Sequence, residues 1–257
     1  MMAPLSRFQS SARPRAILHI GTEKTGTTTI QQFLAKNRSQ LLKKGVLVPA
    51  SAENKYHNHI KLVAYARADD RQDNLRRSLG IENERDLERF RYRFRSELER
   101  EIKTAGRNAQ TVVLSSEHCH SRLTSAAEVE RLVDLLRPLV EDLAIVVYLR
   151  RQDKMAVSLY STYLKLGGTG KEVFPKTATE SHSYYNLDGL LDRWARVCGE
   201  PSIIPRIYEP VELKEGDTVR DFLELIGPYF GSGPIRVSTT DERDFHLPGA
   251  GNCQGGQ

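Results

Sequence analysis

Apolar residues along this chain fall into two rhythms. Short unbroken runs recur as AILHI (16–20), TVVLS (111–115), LAIVVYL (143–149) and SIIPRIY (202–208). Runs of that length, rich in β-branched residues, predict strands, with AILHI and LAIVVYL reading as buried ones. Between them the spacing turns helical. Ile30, Phe33, Leu34, Leu41 and Leu42 predict a helix from Thr27 to about Lys44, closed by Gly45 at its C′ position before VLVP resumes extended structure. Leu87, Phe90, Phe94, Leu98 and Ile102 mark one face of a long helix, and further helical patterns cover 125–140, 152–166 and 184–198. The last of these carries Leu187, Leu190, Leu191, Trp194 and Val197, while Tyr160 and Tyr163 of the 152–166 pattern are expected in the core. DTVRDFLELIG (217–227) predicts a capped helix ending in glycine.

Strands that alternate with helices predict βαβ units around a parallel sheet. The polar, charged stretch 53–106 holds the long helix, so a mainly helical insertion is expected at 50–108 within one α/β domain spanning 16–230. Residues 1–15 are short, basic and serine-rich, and are expected to be a disordered leader. The glycine-rich segment 231–257, with HLPGAGNCQGGQ at its end, lacks any periodic pattern and is expected to be a flexible or truncated tail.

Composition narrows this picture only slightly. A chain of 257 residues with 39% hydrophobic and 28% charged residues suits one sizeable globular domain. No stretch approaches the roughly 18 apolar residues of a membrane span, which leads to the expectation of a cytoplasmic protein. Three cysteines, Cys119, Cys198 and Cys253, have no CxxC spacing; they argue against a disulfide framework and for a reducing compartment. A net charge of +5 fits an anionic ligand without selecting one. The run RDLERFRYRFRSELEREIK (85–103) mixes arginine with aromatics, yet Phe90 and Phe94 lie on the apolar stripe and glutamates alternate with the arginines. It reads as a solvated amphipathic helix rather than a nucleic-acid surface.

The candidate chemistry begins right after the first strand. In GTEKTGTTT (21–29), a glycine-containing loop opens a helix, and such a loop turns backbone N–H groups and the helix dipole toward an anion. Gly26 lets the chain approach a ligand closely. Thr27, Thr28 and Thr29 offer hydroxyls and first-turn amides, Thr25 precedes them, and Lys24 supplies a point charge. The ATP loop GxxxxGK[ST] needs its lysine directly after the second glycine; here that place is Thr27, which speaks against a kinase or ATPase. The dinucleotide pattern GxGxxG is absent. A second group lies in LAIVVYLRRQDKMAVSLY (143–160): Arg150 ends a buried strand as a planar donor suited to phosphate, and Ser158 follows eight residues later in a helix.

EKTGTTTIQQFL closely resembles the 5′-phosphosulfate loop of the sulfotransferases that use 3′-phosphoadenylyl sulfate, with Glu23 where that family usually has proline. Arg150 and Ser158 match, at the same spacing, the arginine and serine with which the family binds the 3′-phosphate; Arg151 stands where the family has aspartate. The resemblance spans 16–227 and includes VVLSSEH and LDRWARVCGEPSIIPRIYEPVELKEGDTVRDFLELIG. It implies a P-loop NTPase-like three-layer α/β fold. It also implies transfer of a sulfuryl group from 3′-phosphoadenylyl sulfate to a hydroxyl or amine of a small-molecule, glycan or lipid acceptor, leaving the 3′,5′-bisphosphate nucleotide (PAP). Lys24 then stabilises charge on the bridging oxygen, and no metal is required.

A general base is expected among Glu117, His118 and His120, just beyond TVVLSS, because ligand clefts of open parallel sheets lie at the carboxyl ends of the strands. Glu117 is favoured, with His118 second. His57 and His120 are candidates for acceptor contact; His57 and His59 form an HxH pair too small for a structural zinc site. Two rivals stand beside the transferase: a catalytically silent nucleotide-binding protein of the same fold and an ATP-dependent small-molecule kinase.

Overall fold

The computed structural model describes residues 13–68, 73–174 and 184–227. Five strands, β1 (Arg15–His19), β2 (Val46–Leu47), β3 (Thr111–Ser115), β4 (Leu143–Leu149) and β5 (Ile203–Ile207), form one parallel sheet in the order β2-β3-β1-β4-β5. The four apolar runs all become strands, displaced by at most one residue at an end. Ile17 pairs with Val113 on one side and with Ala144 on the other.

Alternation along the central strands feeds two cores. Ala16, Leu18, Val112, Leu114, Ile145 and Val147 face a large cluster built with α3 (Ile60–Ala66), α5 (Glu84–Ala105), α7 (Ala126–Leu136) and α9 (Leu187–Cys198). Ile17, Val113, Ala144, Val146 and Tyr148 face a smaller one with α1 (Thr27–Lys36), α2 (Arg38–Lys43) and α10 (Thr218–Ile226). The result is the three-layer α/β sandwich expected when helices cover both faces of a parallel sheet.

Between β2 and β3 the chain forms α3, α4 (Asn74–Ser78) and α5. All five residues of the predicted α5 stripe are buried, and Asn83 caps the helix by accepting from the Asp86 amide. Ser125 and Glu128 form a reciprocal capping box that starts α7.

Two expectations need correction. The helix predicted over 27–44 is broken at Asn37, whose side-chain amide donates to the Phe33 carbonyl at 2.9 Å while its backbone leaves helical angles. This competition of a short polar side chain with the helix ladder ends α1 and starts α2. The tyrosines of α8 (Gln152–Lys165) are not core residues. Only Met155 and Ala156 of that helix are buried, Tyr163 is 47% exposed, and Tyr160 donates to the Gly170 carbonyl. The 1–12 part of the expected leader, the expected tail and Cys253 lie outside the described residues. Cys119 and Cys198 are free thiols, and among the described residues no helix is long and apolar enough to cross a membrane.

Phe94 is 1% exposed and packs against Phe90 and Tyr65, with ring centroids 5.8 and 6.1 Å away. Phe94→Ala is expected to cost about 3–5 kcal/mol through lost contacts and a residual cavity. Urea denaturation monitored by circular dichroism should show a lowered midpoint at unchanged slope.

Candidate active site

The strand order places β1 between β3 and β4, and the chain leaves β1 toward β2 on one edge but leaves β4 toward β5 on the other. This is a topological switch point, where connections diverge and a cleft opens at the carboxyl ends. Lys24, Glu117 and Arg150 follow β1, β3 and β4 at that end.

Gly26 adopts left-handed angles (φ 74°, ψ 13°) immediately before α1, a conformation that costs other residues roughly 1–2 kcal/mol. A Cβ there would also lie 3.0 Å from Thr218 Oγ1. α1 has no side-chain cap and no acidic residue in its first turn. The Thr29 amide donates to the Gly26 carbonyl at 3.0 Å, so Thr27 and Thr28 present first-turn amides with no acceptor inside the helix. Thr27 is buried, whereas Thr28 and Thr29 are exposed. The Thr25 hydroxyl turns inward and donates to the Thr22 carbonyl at 2.6 Å. It braces the loop, leaving Thr25 only its backbone for a ligand.

Two cations flank this helix start. Arg150 donates to the Lys24 carbonyl at 2.7 Å and lies over the Tyr208 ring at 5.5 Å. The Lys24 ammonium donates to Thr162 Oγ1 of α8 at 2.8 Å, and Thr162 donates in turn to the Ser158 carbonyl at 3.1 Å. Burial lowers the Lys24 ammonium below the usual lysine range; Glu23 opposes this, while Arg150 and Lys165 add to it. Ser158 is half-buried on α8. Arg151 is exposed and pairs with Asp153 at 2.7 Å.

The segment after β3 carries the residues expected from the sequence to include a general base. Glu117 Oε2 accepts from Gln31 Nε2 at 2.6 Å and from Asn58 Nδ2 at 2.7 Å. His118 Nδ1 faces Glu23 Oε1 at 3.7 Å, and Tyr184 donates to Glu23 Oε2 at 2.8 Å. Burial pushes the Glu23 carboxyl up, but the opposing pull of His118 and Tyr184 outweighs it and holds the group at about 2. Glu23 is therefore an anion locked beside the loop.

His120 is buried, with Nε2 donating to the Tyr184 carbonyl at 2.8 Å and Nδ1 accepting from the Glu23 amide at 3.5 Å. Burial keeps it neutral by lowering its pKa, and both ring nitrogens are engaged with backbone groups. The imidazole thus clamps the loop to residue 184. His57 is exposed and turned toward Glu53 at 3.4 Å; its neighbour Asn58 is the residue that reaches Glu117. His59 is buried and pairs with Ser115 in both directions, its Nδ1 accepting from the Ser115 amide at 2.9 Å and its own amide donating to the Ser115 carbonyl at 3.1 Å. Among the described residues no group of three or more His, Cys, Asp or Glu is placed to hold a metal ion.

Gln31, Asn58, Thr162 and Tyr184 escape sequence reading, because each acts through a partner distant in the chain. Gln31 alone left a trace: a long polar residue among Ile30, Phe33 and Leu34 on the buried face of α1.

No family model matches the chain, and no curated protein matches it. Among solved structures, a sulfotransferase from Alicyclobacillus acidocaldarius is similar, with 17% identity over 86% of this chain and 82% of that one, at a TM-score of 0.49.

Glu23 generates a stability test. Its folded value of about 2 lies below the ordinary 4.5, so its stabilisation is present above about pH 4.5 and is lost as pH falls through 2. Glu23→Gln is expected to be less stable than wild type by about 1–3 kcal/mol at pH 7. Denaturation at stepped pH should show that gap closing between pH 4.5 and 2.

Proposed function

We propose that the protein transfers a sulfuryl group from 3′-phosphoadenylyl sulfate to a hydroxyl or amine of a small-molecule, glycan or lipid acceptor. The observation that carries this reading is the pair of cations at an uncapped helix start: Lys24, and Arg150, whose guanidinium donates to the main-chain carbonyl of Lys24 at 2.7 Å beside α1. Threonine at position 27, where an ATP loop needs lysine, supports a phosphosulfate rather than a triphosphate. A cytoplasmic location belongs to the same proposal and is supported by the cysteine pattern.

The nucleotide, when bound, supplies an activated sulfuryl group on a phosphate leaving group. Thr25 and Gly26 contribute backbone, and Thr27, Thr28 and Thr29 contribute amides and hydroxyls for the 5′-phosphate. Arg150 and Ser158 hold the 3′-phosphate, with the planar guanidinium kept in place by Tyr208. Lys24 provides positive charge where the bridging oxygen gains negative charge as its bond to sulfur breaks. Glu117 accepts the proton that the acceptor releases as its oxygen or nitrogen bonds to sulfur, with His118 the second choice for that role. Aligned positioning and charge stabilisation are what such transfers demand of a protein, as in phosphoryl transfer.

Calorimetric titration with 3′,5′-bisphosphoadenosine, with ATP and magnesium in parallel, tests the reading. The bisphosphate should bind and ATP should bind more weakly. Arg150→Ala should weaken the bisphosphate by about 10–100-fold, the loss of charge-assisted hydrogen bonds to phosphate. Equal or tighter binding of magnesium ATP would point to the kinase alternative.

A further inference from the structure

Glu117 is gripped through one carboxylate oxygen. Its Oε2 takes two short amide bonds, 2.6 Å from Gln31 and 2.7 Å from Asn58, and both donors are nearly inaccessible, at 3% and 5% exposure. Among the described residues Oε1 has no donor. The two donors come from different parts of the fold, α1 of the anion loop and the connection between β2 and α3.

Neither amide is loose. The other end of the Asn58 side chain, Oδ1, accepts from Ser116 Oγ at 2.8 Å, so its Nδ2 must face Glu117. An ionised carboxylate only accepts, which fixes the same orientation independently. The backbone around Asn58 is closed on itself: the Asn54 amide donates to the Asn58 carbonyl at 2.9 Å, and the Asn58 amide donates to Asn54 Oδ1 at 3.1 Å. One residue on, the reciprocal His59–Ser115 pair fastens this segment to the end of β3. Gln31 Nε2 also lies 3.4 Å from Ser115 Oγ, which bonds His19 Nδ1 at 2.9 Å. Burial lowers the His19 imidazole to about 3, so this back wall is uncharged at neutral pH.

We infer that Asn58, together with Gln31, is a positioning residue for Glu117. The two amides occupy one carboxylate oxygen and aim the other at the acceptor, so the base is assembled jointly by the β3 end, the loop helix and the segment leading into the helical insertion. This rests on the proposal that Glu117 takes the acceptor's proton. Misplacing a reacting group by about 1 Å costs on the order of 100-fold in rate.

The discriminating variant is Asn58→Asp. It keeps size, shape and an acceptor for Ser116, but sets an oxygen against Glu117 Oε2 in place of a donor. A purely structural role predicts that both variants lose rate only as far as they lose folding or bisphosphate affinity; a positioning role predicts a rate loss with affinity kept, deeper in Asn58→Asp because two carboxylates now face each other. The probe reaction is release of 3′,5′-bisphosphoadenosine from 3′-phosphoadenylyl sulfate with water as acceptor, where the S–O bond to phosphate breaks, a water oxygen bonds sulfur and its proton passes to Glu117. Asn58→Ala should slow release by about 10–100-fold. Asn58→Asp should be slower still, and bisphosphate affinity by calorimetry should stay within about two-fold in both. An Asn58→Asp protein that releases product at the wild-type rate overturns the inference. Should Asn58→Asp fail to fold, Gln31→Glu poses the same change of amide donor to carboxylate from α1, and a wild-type rate there overturns it equally. Wild type that neither binds the bisphosphate nor releases it removes the transferase reading, and the inference with it, an outcome seen without any variant.

Discussion

The site depends on one set of backbone hydrogen bonds, those that extend the parallel sheet past the end of β1. The Ile20 amide donates to Val146, the Thr22 amide to Tyr148, and the Tyr148 amide back to Gly21, at 2.9, 2.8 and 2.6 Å; on the other side the Ser116 amide donates to His19 at 2.9 Å. The loop after β1 is thereby stitched to both neighbouring strand ends before any side chain contributes. Lys24, Glu117 and Arg150 then inherit positions fixed by main-chain geometry, whose errors are small because sheet register is quantised. Gly21 permits the closest approach, since a Cβ there would lie 3.0 Å from Glu117 Cα.

Charge is arranged on that frame with little redundancy. Surface ion pairs in water contribute roughly 0–1 kcal/mol, and those on α5, such as Arg89 with Asp86, belong to that class. The half-buried groups near the loop are different. Glu23 would oppose an anion held by the neighbouring loop, but His118 and Tyr184 engage its carboxylate on the side of the β3 connection. Lys24 and Arg150 remain as the cations beside the helix start. Under the face of the sheet that α1 also covers the same economy recurs: buried Asp221 accepts from Tyr148 at 2.7 Å and pairs with Arg206, joining β4, β5 and α10.

Much of this fold is legible in the sequence because the central strands are covered on both faces, which makes TVVLS and LAIVVYL unbroken apolar runs with sharp ends. The α5 stripe is equally legible, since five apolar residues at helical spacing leave no competing period. The strand-end placement of Lys24 and Arg150 follows from those same boundaries. What escapes is long-range and polar. Nothing in NKYHNHIK distinguishes Asn58 from His57, because the difference lies in a carboxylate 59 residues away. Tyr160 and Tyr163 are misread for the converse reason: helical spacing of large residues signals a buried face only where another layer covers it, and α8 is covered only near Met155 and Ala156. Asn37 breaks its helix through a side-chain bond that periodicity does not register.

The contact between Gly26 and Thr218 reaches beyond the loop. α10 begins where the glycine backbone passes, so two positions remote in sequence share one volume. In any library built on this scaffold they act as a single variable. Enlarging residue 218 displaces the loop as surely as adding a side chain at 26, and the space for natural drift at the start of α10 is set by a residue on the other side of the chain's numbering.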